Sequence, residues 1–152
     1  GLPVLPEGVE RHPVPGGGSR AVPVFAGDEI TLQDVEGLQP IEIVFFAPDG
    51  TSDASMIGAK GGRDPNGLKV SLLQHHSGRQ VLSALAKSGF DLAGADGSLV
   101  FAEGSVAGQI ASFMADADGL LIVCAAGGDM EAHEQWAPTE VVLFINARLG
   151  AF

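Results

Sequence analysis

The sequence predicts a mainly β protein, an antiparallel β-sandwich or distorted barrel with one principal α-helix at about 77–88. Three observations lead to this prediction. Short apolar runs bounded by turn residues recur along the chain, and the runs at 120–124 and 141–145 are continuous, as in strands covered on both faces. The 22 glycines and 9 prolines require frequent turns. Only the segment at about 77–88 combines an N-terminal capping signal, apolar residues at helical spacing and a glycine placed to end the helix.

The remaining strands are predicted from alternation and turn chemistry. Residues 21–25 and 30–33 alternate with a period of two, and Pro23 cannot donate to a ladder, so the first of these should be an edge strand. A Pro-Asp-Gly turn at 48–50 closes an apolar strand at 41–46. Further short strands are predicted at 54–57, 68–72, 99–101 and 106–114. The last of these also fits helical spacing, but Gly108 favours a strand.

The predicted helix begins with a capping signal, since Ser77 stands three residues before Gln80. Gly89 is placed to end it. Its apolar side is formed by Val81, Leu82 and Leu85. A helix of this length is marginal alone, so the apolar side should pack on the sheet.

Composition excludes several classes of partner. The formal net charge of -11 repels phosphate backbones and anionic lipid surfaces, so neither nucleic acid nor membrane is expected. One cysteine cannot form an intramolecular disulfide, and this favours a reducing, cytoplasmic setting. The sequence allows a homo-oligomer.

Length and residue distribution predict one domain. Residues 1–20 are rich in proline and glycine and should form an extended arm, and residues 21–152 should form a single β-rich domain. The chain starts at Gly1 without an initiator methionine. This start leaves open that the chain is a fragment of a longer protein.

The chemically richest segment is the loop at 124–136, between the two continuous apolar runs. Carboxylates, an imidazole, an amide and an indole occur together there, which predicts a ligand or partner surface. Its residues are Asp129, Glu131, His133, Gln135 and Trp136. The alternative is a solvated loop held down by Trp136.

Two further groups are weaker candidates. Lys60 and Arg63 lie in a glycine-rich loop and could contact an anion, or could be solvated charges. His75, His76 and Cys124 are weak candidates for metal ligands, but no ligand spacing of a known metal motif is present, so no metal is predicted. Burial as a small apolar group explains Cys124 better than catalysis does.

Several segments resemble a known family. VPGGGSRA at 14–21 and AGDEITLQDVEG at 26–37 look like the opening of the urea carboxylase-associated proteins. The end of the chain, from 124 to 143, is similar to that family's closing loop and strand. GDME at 128–131 and QWAPT at 135–139 are most similar to versions that precede glycine-cleavage T-protein-like aminomethyltransferases. Family members have an inner region richer in Cys and His, of which this chain keeps only His75 and His76.

The resemblance implies a role in one-carbon or amine metabolism. We expect an accessory or small-molecule-binding domain, itself non-catalytic, of an aminomethyltransferase-like protein. Its partner would then be a transferase domain in the parent chain. No cofactor is evident in the sequence, and tetrahydrofolate would enter only through that partner domain. The alternative is a stand-alone small-molecule enzyme or sensor with its site at the 124–136 loop and His75 or His76.

Overall fold

The computed structural model describes residues 9–74, 76–125 and 138–146, with the side chains of His76 and Ser77 outside the description. This part of the chain contains eight strands and two α-helices. The strands are β1 (Glu10–Val14), β2 (Ser19–Val24), β3 (Glu29–Asp34), β4 (Ile41–Phe46), β5 (Gly97–Val100), β6 (Ile110–Met114), β7 (Gly119–Cys124) and β8 (Val141–Ile145). The helices are α1 (Asn66–Gln74) and α2 (His76–Ser88).

The strands form two separate four-stranded antiparallel sheets, so the described fold is a β-sandwich rather than a closed barrel. The order in the first sheet is β1-β8-β3-β6, and the order in the second is β2-β7-β4-β5. Inward-facing side chains of both sheets make one apolar core, which confirms the predicted fold class. The largest buried side chains of this core include Ile30, Leu32, Phe45, Leu121 and Leu143.

The continuous apolar runs are the central strands of the two sheets. β7 lies between β2 and β4, and β8 lies between β1 and β3, so each has a neighbour on both sides. They belong to different sheets, and the connecting segment 126–137 therefore leads from one sheet to the other. Pro23 lies in β2 at an edge of the second sheet, as its missing N–H predicts.

Both helices pack on the outer face of the second sheet and make a second apolar core with Val44, Phe46 and Ile122. α2 confirms the predicted helix and ends at Gly89, whose φ is 71°. Gly78 permits the tight corner between the helices, because a Cβ there would lie 2.5 Å from the Leu72 backbone. Within the described residues, neither helix is long and apolar enough to cross a bilayer.

Two predicted strands are wrong. Residues 68–72 belong to α1, because Leu68 and Leu72 are four residues apart and both are buried, while Val70 is 50% exposed. Residues 68 and 72 would lie on the same face of a strand as well as of a helix. Over only five residues, the sequence pattern therefore could not distinguish the two. Residues 54–57 form a 3₁₀ helix (Ala54–Ile57), capped by the Asp53 carboxylate, which accepts a hydrogen bond from the Ser55 N–H.

Two smaller expectations have mixed outcomes. Leu82, expected on the apolar side of α2, is 37% exposed, whereas Val81 and Leu85 are buried. The segment predicted as an extended arm, 1–20, includes β1 at an edge of the first sheet and the first two residues of β2. Residues 1–8 lie outside the described residues.

Candidate functional site

A row of polar side chains crosses one end of the helix-covered face of the second sheet. The strand register pairs Ser19 with Cys124 and Cys124 with Glu42, so the three residues lie side by side on β2, β7 and β4. They are 3%, 0% and 1% exposed. Further along the same face the residues are apolar. We call Ser19, Cys124 and Glu42 the polar row.

Glu42 connects the polar row to the start of α1. Its Oε2 accepts a hydrogen bond from the Gly67 N–H at 3.0 Å, and its Oε1 accepts a longer one from Leu68 N–H at 3.4 Å. The carboxylate thus takes the role of an N-cap side chain, supplied from a strand, and its negative charge is favoured by the helix dipole. This interaction explains why an acid is tolerated in the apolar strand IEIVFF.

Cys124 is held as a neutral thiol. Its Sγ–H donates to the Gly67 carbonyl at 3.9 Å. Burial raises the pKa of the Cys124 thiol to about 12, a hydrogen bond with the Ser71 hydroxyl opposes the rise, and the charge of Glu42 adds to it. Because the thiolate is the nucleophilic form, Cys124 is unsuited to nucleophilic attack near neutral pH. The structure supports the structural role that the sequence favoured.

The glycine turn at 16–18 lies over the end of the polar row. Ser71 Oγ donates to the Gly17 carbonyl at 2.6 Å, and Gly17 N–H donates to the Ala125 carbonyl at 2.8 Å. On its other side, a Cβ on Gly16 would lie 2.1 Å from the Pro138 carbonyl oxygen, so only glycine fits. This turn therefore contacts Ala125 and Pro138, the described residues on either side of segment 126–137.

A cavity of about 360 Å³ opens beside the polar row, between the β1–β2 connection and α2. Its polar lining consists of Ser19, Arg20 and Gln80, and its apolar lining of Pro13, Pro15, Ala21, Val81 and Ala84. Ser19 therefore belongs both to the polar row and to the wall of this cavity. We call this space the Ser19 cavity. Its volume lies in the range of small-molecule sites.

The residues predicted as a ligand or partner surface lie outside the described residues, as does His75. They are Asp129, Glu131, His133, Gln135 and Trp136. The backbone of His76 begins α2, and its side chain is not described. Among the described residues, no group of three or more His, Cys, Asp or Glu is placed to hold a metal.

The loop predicted to contact an anion is organised around a carboxylate of the protein itself. Asp96 accepts hydrogen bonds from the Gly62 N–H at 2.6 Å and the Ala54 N–H at 2.8 Å. Lys60 is exposed, and the Arg63 backbone pairs with Gly97. An external anion at Lys60 and Arg63 stays a prediction.

Sequence reasoning missed Ser19, Glu42 and the cavity. One signal was present, because Glu42 is an acid inside an apolar strand, and such an acid needs a buried partner. Ser19 gave no comparable signal, since its place beside Cys124 depends on the pairing of β2 with β7.

The comparisons with known proteins give one substantial match. No family model matches the chain. Over 143 residues it is 35% identical to a trimethylamine-oxide aldolase of Ruegeria pomeroyi, a match that covers 93% of this chain and 18% of that protein. The chain thus spans less than a fifth of that relative. A solved DUF1989 family protein from Silicibacter pomeroyi is 15% identical, with a TM-score of 0.47 over 94% of this chain and 80% of that one.

The curated relative corrects three predictions. It is named an aldolase, so the association with an aminomethyltransferase is wrong, and its name gives no support to a urea carboxylase association. The prediction of a non-catalytic accessory domain is contradicted, because the match to an enzyme runs through most of the chain. A transferase partner domain is not supported either, although the relative is long enough to hold further domains. Tetrahydrofolate, which was expected only through that domain, stays a prediction.

Proposed function

We propose that this chain is part of a small-molecule enzyme that cleaves trimethylamine oxide or a closely similar amine oxide. The observation that carries the proposal is the 35% identity, over 93% of this chain, to a protein named trimethylamine-oxide aldolase. The sequence left a stand-alone small-molecule enzyme open as the alternative. This proposal keeps the enzyme, makes the chain a part of it, and does not place its site at the 124–136 loop. A cavity of small-molecule size beside a buried polar row supports it.

The reaction that the relative's name indicates balances without an external oxidant. Trimethylamine oxide would give formaldehyde and dimethylamine, which together contain all of its atoms. The N–O bond breaks, a C–O bond forms at one methyl carbon, and the C–N bond of that carbon breaks. The carbon is oxidised while the nitrogen is reduced, and one methyl hydrogen ends as a proton on the amine. A suitable site must bind the oxide oxygen and shelter the methyl groups.

Cys124 is not assigned a role in bond making. Its raised pKa keeps the thiol protonated near neutral pH, and its contacts are to the protein. Glu42 is engaged by the first amides of α1. Together these two residues hold the start of α1 against the second sheet, which is a structural role.

A chimera tests the proposed function, because the chain corresponds to only part of its relative. We would replace the matching 143 residues of the Ruegeria pomeroyi protein with this chain and measure formaldehyde and dimethylamine released from trimethylamine oxide. The unaltered relative is the positive control. We expect both products in equal amounts from the chimera. A chimera that is folded and assembled like the relative but releases neither product would overturn the proposal.

A cytoplasmic location belongs to the same proposal. The single cysteine, held as a thiol, suits a reducing compartment. Cell fractionation with an antibody to the chain tests it, and recovery in an oxidising compartment would contradict it.

A further inference from the structure

Four described strands end the two sheets, and three of these edges are protected against pairing with a further strand. β1 contains Pro13 and the charged Arg11, and β2 contains Pro23. β5 is bridged at Gly97 by the Arg63 backbone, with hydrogen bonds of 2.8 and 3.1 Å. Proline, charge and a covering segment are the usual means by which proteins block edge pairing.

The fourth edge, β6, has none of these features. Its sequence, IASFM, contains no proline and no charge, and the uncharged stretch extends from 104 to 115 in a chain with a net charge of -11. Among the described strands, only β3 pairs with it. An uncharged apolar edge strand without cover is a template for pairing with another strand.

The backbone groups on the free side of β6 follow from its ladder with β3. Asp34 N–H donates to the Gln109 carbonyl at 3.0 Å, and Ala115 N–H donates to the Asp28 carbonyl at 3.0 Å. Because hydrogen-bonded positions alternate along an antiparallel ladder, the odd-numbered residues of this stretch bond to β3. The even-numbered residues of β6 turn their N–H and C=O groups to the free side: Ile110, Ser112 and Met114. No backbone group elsewhere in the described ranges pairs with them there.

The side chains on the outer face of β6 are exposed. Ile110 is 39% exposed and Met114 is 54% exposed, and they are the only strand residues among the large apolar side chains that are exposed in the described part of the chain. Ser112, between them, is exposed as well. A partner strand would remove this apolar surface from water, which is favourable.

β6 is complementary to a second copy of itself. When two β6 strands pair antiparallel about a two-fold axis at Ser112, Ile110 of each copy lies opposite Met114 of the other. On the core-facing side, the small Ala111 lies opposite the large Phe113, and both are half-buried in the chain itself. The nearest charges, at 103 and 116, lie outside the paired residues. Two chains of equal net charge can therefore meet here without opposing like charges directly.

We infer that the free edge of β6 binds a second copy of this chain, so that the two first sheets join into one antiparallel sheet across the two-fold axis. The outward backbone groups then form about six hydrogen bonds. The edge has no charge with which to recognise a charged strand of another protein, whereas its own sequence satisfies the symmetric register. This inference does not depend on the proposed function.

The dimer is expected to be weak. Two strands of 5 residues bury less than the roughly 1,200 Å² at which stable interfaces begin. We therefore expect an equilibrium between monomer and dimer, with a dissociation constant on the order of 100 µM.

The test is sedimentation velocity of the 152-residue chain from about 10 µM to about 1 mM, with amide hydrogen exchange at both ends of this range. We expect mainly monomer at the lower concentration and mainly dimer at the higher one. Exchange at the amides of Ile110, Ser112 and Met114 should be about fourfold slower at the higher concentration, in proportion to the monomer fraction. The amides of Ala111 and Phe113, which already bond to β3, should not change.

Two variants of β6 should weaken the dimer at least about tenfold. Ser112→Pro removes an outward N–H at the centre of the pairing without removing a backbone bond to β3. Met114→Lys places a charge opposite the apolar Ile110 in both halves of the interface. The second variant keeps the test valid if the proline lowers the stability of the fold, and melting curves establish that each variant is folded.

Leu73→Lys is the matched control for the charge. Leu73 is 78% exposed on α1, which packs on the second sheet, so this variant adds the same charge and removes exposed apolar surface away from β6. It should dimerise like the wild type.

Three results would overturn the inference. A chain that stays monomeric at about 1 mM rules out a second copy as the occupant and leaves the edge to a strand of another protein. A dimer that both β6 variants form as tightly as the wild type has its interface elsewhere. A dimer that Leu73→Lys weakens as much as Met114→Lys is held by general apolar contact and not by the β6 edge.

Discussion

Among the described residues, each sheet of the sandwich contains one fully buried carboxylate, Asp34 at the end of β3 and Glu42 in β4. Asp34 accepts hydrogen bonds from the amides of Gly37 and Gln39, both at 2.9 Å, and from the Ser105 hydroxyl. Its two amide donors lie within five residues of it. Glu42 receives its described amide donors from α1, 25 and 26 residues along the chain.

The positions of the amide donors show that Asp34 has a local role and that Glu42 connects two distant elements. Asp34 fixes the turn that follows its own strand and ties it to Ser105. Glu42 joins a sheet to a helix, and its charge also contributes to the raised pKa of Cys124. Only the second carboxylate lies in the row that reaches the Ser19 cavity. Burial alone therefore does not distinguish a carboxylate that fixes its own turn from one that joins a sheet to a helix, whereas the sequence distance to its amide donors does.

Among substitutions of these two carboxylates and their partners, Asp34→Ala should have the largest effect on stability. Removal of the carboxylate leaves buried amide donors without their acceptor, and hydrogen bonds to charged groups are individually strong, so we expect a loss of about 3 kcal/mol in the free energy of unfolding. Urea denaturation measures it. Asp49→Ala is the control, because Asp49 accepts from the Thr51 amide in an exposed turn and should matter much less. Equal losses in the two variants would show that burial of Asp34 is not decisive.

Glu42→Gln should cost about 2 kcal/mol, because glutamine keeps one accepting oxygen for α1 but loses the charge. It should also lower the pKa of Cys124, since the negative charge beside the thiol is removed. The thiolate absorbance of Cys124 in the folded protein, followed as the pH is raised, measures this change. Asp34→Asn, in the other sheet, should leave this titration profile unchanged. A shift of the profile in both variants would refute a specific coupling of Glu42 to Cys124.

Alkaline pH should destabilise the protein through Cys124. The pKa of the folded thiol, about 12, is above the ordinary value of 9.0, so above pH 9.0 the unfolded chain loses this proton while the folded chain keeps it. Stability from this group is complete below pH 9.0 and falls by about 1.4 kcal/mol per pH unit until the folded pKa is reached. Unfolding curves at several alkaline pH values test this, and Cys124→Ala should have the shallower slope. Parallel slopes would contradict the expected linkage.

Ser105→Ala should have the smallest effect, about 1 kcal/mol, because Asp34 keeps both amide donors and loses only a hydroxyl on a partly exposed residue. Amide hydrogen exchange should increase near residue 105 and little at 37–39. If the loss equals that of Asp34→Ala, the hydroxyl rather than the turn amides carries the interaction, and the local role assigned to Asp34 is wrong.

The positions of most strands could be predicted, because side-chain alternation and turn residues are patterns of only a few consecutive residues. The bounds of β4 and β8 agree with the apolar runs at 41–46 and 141–145. The edge position of β2 agrees with the prediction from Pro23. The same local reasoning failed at α1. Leu68 and Leu72 fit either a strand or a helix, and the Glu42 carboxylate that caps this helix comes from a distant strand.

The sequence by itself determined the fold class, the principal helix and the edge position of β2, because each depends on the periodicity of apolar residues or on the chemistry of a single proline. Only the tertiary structure decided which polar residues meet. Ser19, Glu42 and Cys124 are brought together by the register of three strands, and a slip of one residue would turn each side chain to the opposite face. The Ser19 cavity likewise exists only because α2 packs beside β2, a contact between segments about sixty residues apart.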